Sequence, residues 1–311
     1  MMNRRSASGI RIRTSIRLLL FIAACTFFCV SPLHLLAEET SAKSAASVSL
    51  QDLAHDFWQW RAQYQPFSQD DIPRIERPLG PRDWSASAIA EQKNALAQFE
   101  KRWKQIDTKG WSVPEQVDYR LIGSALARVR WELDINPRWR RDPTFYLDQT
   151  LTALLEALVQ PPPFDAQRSR EIVARMQAIP QLIDDGRANL HPIRPFAKLA
   201  IANLEHIRPE LEQVQREVTP LLHEDGTGTE NENDNAAAFK LATEKAIVVL
   251  ESYRKWLQAH LETMSENGAV GRENYEFFLQ NVALLPYQPE QLLVISRQEW
   301  DRSVAFEQYE K

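Results

Sequence analysis

From Leu53 onward, apolar residues return every three or four positions, and no stretch alternates in the way a half-buried strand must. Leu53, Phe57, Trp60 and Tyr64 make a first amphipathic stripe. Leu96, Phe99, Trp103 and Ile106 make a second, and Ile122, Leu126, Val129 and Leu133 a third. Glycine is scarce, 9 in 311 residues, so little interrupts such helices. No internal repeat of fixed period is present. The spacing predicts an all-α, irregular multi-helix domain with more segments than a four-helix bundle requires.

The punctuation between stripes predicts where helices begin and end. Ser112 and Glu115 form a reciprocal cap around Pro114, whose missing N–H costs nothing in a first turn. Asp142-Pro143 opens a helix with Tyr146, Leu151, Leu154, Leu155 and Leu158 inward, and Pro161-Pro162-Pro163 closes it. Asp165 caps another, with Ile172, Val173, Met176 and Ile179 inward and an expected end at Pro180. Phe196, Leu199, Ala200, Leu204, Ile207, Leu211, Val214 and Val218 read as one long helix that Pro209 should kink or split.

Residues 223–235, HEDGTGTENENDN, read as a solvated loop; their carboxylates lack the alternation and closing Glu of a calcium loop. Phe239, Ala242, Ala246, Val249, Tyr253 and Trp256 then restore the helical rhythm. Gly268 and Gly271 turn the chain into a shorter helix through Tyr275, Phe278 and Leu279. Pro286 and Pro289 lead into a last helix ending at Lys311.

The amino terminus has the build of an export leader. Arg4, Arg5, Arg11, Arg13 and Arg17 precede the apolar run LLLFIAACTFFCV at 18–30, and no acid interrupts them. A signal peptide over 1–37 is expected, cleaved near Ala37, followed by a polar linker at 38–49 and a helical domain at 50–311. An uncleaved anchor and a lipoprotein acylated at Cys25 remain as alternatives, and a membrane enters only through one of these. The expected location is therefore outside the cytoplasm, periplasmic or extracellular.

Both cysteines, Cys25 and Cys29, lie in the leader, so the exported chain has no thiol for a disulfide, a metal or a nucleophile. Losing the five leader arginines moves the formal net charge from −5 to −10. That balance argues against nucleic acid, which needs a cationic face. Arg128, Arg130, Trp131, Arg138, Trp139, Arg140 and Arg141 interleave cations with aromatics, yet such a cluster reads first as arginines covering a tryptophan core.

No complete catalytic motif occurs. Past the leader the imidazoles are His55, His191, His206, His223 and His260, with no His-Glu-x-x-His among them. His206 and Glu210 stand one turn apart without a third ligand. Gly123-Ser124-Ala125 lies mid-helix and is no nucleophile elbow. Catalytic and metal-ligating residues, and a resident cofactor, are accordingly expected to be none in this chain.

The run Asn136-Pro137-Arg138-Trp139-Arg140-Arg141-Asp142-Pro143-Thr144-Phe145-Tyr146 resembles the early segment of the bacterial domain-of-unknown-function family 885. Segments 179–182, 188–190, 253–257 and 271–275 resemble it too, in the same order and spacing across 50–311. The resemblance implies a helical, exported, zinc-metallopeptidase-like protein. Its His-Glu-x-x-Pro-Gly-His segment lies in the second half of a chain about twice as long. What is similar here is the amino-terminal half, so no zinc ligand carries over. The resemblance implies that this half walls a substrate cleft, with Arg272 and Tyr275 as cleft-lining candidates. Its expected partners are a carboxyl-terminal half or a peptide substrate. A self-sufficient helical binding module, or a partner of peptidases, is the alternative.

Overall fold

The computed structural model describes residues 33–67, 79–159, 161–223 and 235–310, with side chains from 47 onward. Two units are present, Met1–Ser41 and Ala42–Lys311, and the second contains both hydrophobic clusters. Residues 1–32 of the expected leader and the interior of the 223–235 loop lie outside the described residues, whereas residues 33–37 fall within the first helix, Leu33–Tyr64. Among the described residues there is no strand. A single parallel bridge joins Ile193 to Ser265.

The first cluster in chain order is built by α1 (Leu33–Tyr64), α2 (Ala86–Lys104) and α3 (Val113–Arg130). Leu53 and Phe57 of α1, Leu96 of α2, and Ile122, Leu126 and Val129 of α3 are buried together, as the three stripes predict. Phe57 sits edge-on to Phe99 at 5.7 Å between ring centroids. Glu115 caps α3 by accepting from the Ser112 N–H at 2.7 Å and from its hydroxyl at 2.6 Å. Residues 38–49, expected as a polar linker, fall within α1. Their Ser, Ala and Lys content includes no Gly or Pro to end a helix.

The larger cluster centres on two long helices, α7 (Ala166–Asn189) and α10 (Asn235–His260). Around them lie α4 (Arg138–Arg141), α5 (Thr144–Leu147), α6 (Ala153–Leu158), α8 (Arg194–Asn203) and α9 (Ile207–Val218). Asp165 caps α7 by accepting from the Arg168 N–H at 2.8 Å, as expected. The ends of the 223–235 loop are tied down. The His223 N–H donates to the Ser169 hydroxyl at 2.8 Å, and the Asn235 amide donates to the His223 carbonyl at 2.7 Å.

Three expectations fail here, each for a local reason. Helix α7 does not end at Pro180 but passes through it. The proline forfeits one backbone bond, while Leu182, Ile183 and Gly186 beyond it are buried and hold the helix on the core. Leu155, expected inward, is 61% exposed. A π-helical turn at Asp148–Thr152 inserts an extra residue, and Thr150, Ala153 and Leu154 face inward in its place. Phe196 and Leu199 are exposed, because α8 turns Ala197 and Ala200 to the core. The long helix expected there is indeed two, but the break falls before Ile207 and leaves Pro209 in the first turn of α9, where a missing donor is harmless.

Gly186 lets two elements of this core approach closely. A Cβ placed there would meet the Tyr146 ring at 2.8 Å. The ring cannot easily yield, since its hydroxyl donates to the Trp139 carbonyl at 2.8 Å and accepts from Asn189 at 3.1 Å. Overpacking costs about 1–3 kcal/mol, against a helix-propensity gain of at most about 1 kcal/mol. Gly186→Ala is therefore expected to lower the stability read from urea unfolding by about 1–2 kcal/mol. An unchanged midpoint would show that the ring has room.

After α10 come α11 (Arg272–Phe277), a π turn at Phe278–Val282, and α12 (Pro289–Tyr309). The Ser124 hydroxyl donates to the Val282 carbonyl at 2.7 Å, tying this π turn to α3. Helix α12 is unlike the rest: none of its residues is buried. Trp300 is 71% exposed, and Leu293, Val294, Phe306 and Tyr309 are also open to solvent.

Candidate functional site

Where the two clusters meet, residues from both line a cavity of about 390 Å³. Its sequence contributors are far apart. The end of α1 supplies Arg61 and, just beyond, Phe67; α2 supplies Gln92; α3 supplies Arg128. A π turn at Trp131–Ile135 continues α3 and brings Trp131 and Glu132 to the wall. Phe278, from the other π turn, packs on Trp131 with ring centroids 5.0 Å apart. Trp84 stands edge-on to Phe145 at 4.7 Å. Two of the three π-helical turns among the described residues thus build this wall, a placement such turns often have at functional sites.

The cavity's charges are mostly paired. Arg61, 4% exposed, is bound to Glu132. Arg138 donates to Asp142 at 2.9 Å and to Asp148 at 3.0 Å. Burial pulls the Arg138 guanidinium down, but the two carboxylates outweigh it and leave its pKa above the ordinary value. Burial likewise pushes Asp148 up, against the opposing pull of Arg138. Asn136 accepts from Arg141, which also donates to the Gly268 carbonyl at 2.9 Å. The Trp139 indole donates to the Leu133 carbonyl at 3.3 Å.

Three polar groups on this wall are not so occupied. Arg128 has no acidic partner among the described residues. Gln92 is 3% exposed and makes no side-chain hydrogen bond among them. The buried Trp84 indole N–H has no partner either. A buried N–H left in this way, as at Trp84, costs about 1–3 kcal/mol.

A second, more open cavity of about 840 Å³ lies along α2, α3 and the Phe278–Val282 turn. Its acid, Glu100, accepts from Arg130 Nε at 2.6 Å, and that bond raises the Arg130 pKa. Gly123 lies here under the Trp103 ring. Leu284, at the rim, adopts φ +53°, a conformation uncommon for a residue with a branched side chain.

The candidates read from sequence are dispersed. Arg272 is exposed and bridges Glu276 at 2.7 Å and Glu290, which it holds down to a pKa of about 2. Tyr275 is 42% exposed. Neither lines either cavity. Of the interleaved cluster, Arg128, Trp131, Arg138 and Trp139 line the smaller cavity, whereas Arg130 lines the larger. His206 precedes α9, His55 pairs with Gln59 at 2.9 Å, and His260 Nδ1 meets the Trp256 carbonyl at 2.8 Å. Among the described residues no three His, Cys, Asp or Glu side chains stand together as a metal site. Sequence reading missed Arg61, Trp84 and Gln92, whose importance arises only from long-range packing.

The fold has a counterpart of known structure. A protein from Shewanella oneidensis, described as a "putative lipoprotein of unknown function", superposes with a TM-score of 0.58 at 19% sequence identity. The match covers 82% of this chain and 45% of that one, so this chain spans less than half of its neighbour's length. No curated protein matches the sequence. The model of a bacterial family of unknown function matches residues 81–306, which contain both cavities' α2 and α3 walls and α12 up to Phe306. By that match the chain belongs to the bacterial protein family of unknown function DUF885.

Proposed function

We propose that the chain is the helical, substrate-cleft half of an exported hydrolase of peptide-like substrates, inactive by itself. Its counterpart is the carboxyl-terminal half of the family architecture, carried on the same polypeptide or on another. The observation that carries this reading is α12: 21 helical residues with no buried side chain and with Trp300, Phe306 and Leu293 open to solvent. Contiguous exposed apolar surface on a folded domain marks an interaction site. The neighbour from Shewanella oneidensis, with more than half its length unmatched, supplies a length of chain that such a face could receive. Export rests on the leader at 1–37. No helix among the described residues is long and apolar enough to cross a membrane.

In this reading the chain contributes binding and shape, and the metal ligands come from the counterpart. Co-expression with the carboxyl-terminal half of a longer family member tests it. Peptidase activity is expected from the mixture and not from either piece. Failure of the two pieces to associate would contradict the reading. The alternative, a self-sufficient binding module in the periplasm or cell exterior, is favoured by the smaller cavity, which is formed within this chain.

A further inference from the structure

We infer that the aromatic cavity at the seam of the two clusters is a binding site for a small monocarboxylate with an aromatic or flat apolar body. The inference does not depend on the hydrolase reading, because every group it uses belongs to this chain.

The charge on the wall sets the sign and size of the ligand's charge. Arg61 is neutralised by Glu132, and Arg138 by Asp142 and Asp148. Arg128 alone remains without an acid among the described residues. The Arg128 guanidinium, with no acid in contact, is the cation on this wall that can meet a carboxylate, whose two oxygens its planar fork matches. A dianion such as a phosphate monoester would bring a second charge that no group here meets.

The neutral donors point the same way. Gln92 is almost wholly buried, lies on the cavity wall and has no partner among the described residues. Trp84 lines the same space, and its indole N–H is buried and unpartnered. The Gln92 amide, on the same wall as the Arg128 guanidinium, is a donor that an acceptor-only group can use. The remaining wall is apolar and flat: Trp131, Phe278, Trp139 and Phe145 present rings on which a planar body can stack. A volume of about 390 Å³ falls within the range of small-molecule sites.

The test uses the full chain and three matched probes: 3-phenylpropionate, 3-phenylpropanamide and phenyl phosphate, titrated by calorimetry. The carboxylate is expected to bind at least about tenfold tighter than the amide, the advantage of a charge-assisted over a neutral hydrogen bond. It should also bind tighter than the phosphate. Arg128→Gln should erase the difference between carboxylate and amide while leaving amide binding within about threefold, since only charge is lost. Gln92→Leu, on a different helix, should weaken carboxylate and amide alike. Thermal melts confirm that each variant is folded, and the comparison of probes on the unaltered chain stands without either variant. Equal binding of carboxylate and amide, tighter binding of phenyl phosphate, or no binding of the carboxylate in the millimolar range would each overturn the inference.

Discussion

Tyr146→Ala is expected to lower stability by about 3–5 kcal/mol, the usual cost of removing a large buried ring. Tyr146 has no exposed surface, stacks edge-on against Phe145 at 5.3 Å, and presses its ring on Gly186 of α7. Its hydroxyl joins the Trp139 carbonyl, 2.8 Å away, to the Asn189 amide, 3.1 Å away. Truncation therefore opens a cavity and takes one acceptor from the Asn189 amide, which keeps its bond to the Trp84 carbonyl at 2.8 Å. Burial holds the phenol pKa far above its ordinary value, so the group stays neutral at physiological pH. Tyr146→Phe should separate the two effects, costing about 1 kcal/mol for the hydroxyl alone. Guanidinium unfolding followed by circular dichroism measures both. If the two variants were equally stable, the ring's packing would not be what holds α5 to α7.

Glu132→Ala is expected to cost about 3 kcal/mol, because it leaves the Arg61 guanidinium buried without a counter-charge. The side chains of Arg61 and Glu132 are 5% and 22% exposed, so water screens the pair only from the Glu132 side. The contrast with a double replacement is the informative part. Arg61→Met combined with Glu132→Leu should recover most of the loss, since a buried ion pair is often no more stable than a hydrophobic pair of similar shape. A double-mutant cycle on thermal unfolding reads the coupling. If the single and double variants lost the same stability, the residues would be acting through packing and not through charge.

The sequence made the helices legible because a three-four rhythm survives whatever surrounds it. Leu53 and Phe57, Ile122 and Leu126, and Phe239 and Ala246 are buried where their spacing put them. Capping was legible for the same local reason, at Asp165 and at Ser112 with Glu115. Errors began where tertiary packing outweighs a local rule, as at Pro180, or where a π turn shifts the register without a residue signature, as at Asp148–Thr152. The cavity was illegible because its parts are remote in sequence: Arg61 and Glu132 are 71 positions apart. The only trace was the run of arginines and tryptophans between Arg128 and Arg141, read as cations covering a tryptophan core and not as one wall of a pocket. Family membership was legible from ordered short segments, while Arg272 and Tyr275 were placed by resemblance alone and lie on the surface.

In the proposed reading, α12 presents an interface to the carboxyl-terminal half of a longer family member. Hydrogen–deuterium exchange across Pro289–Tyr309 addresses it directly, measured on the chain alone and after mixing with the carboxyl-terminal half of a longer family member. An exposed helix with no buried side chain should exchange rapidly in the isolated chain. The account predicts that exchange then slows at least about tenfold in the mixture. Exchange that is already slow in the isolated chain, or that stays unchanged on mixing, would contradict it.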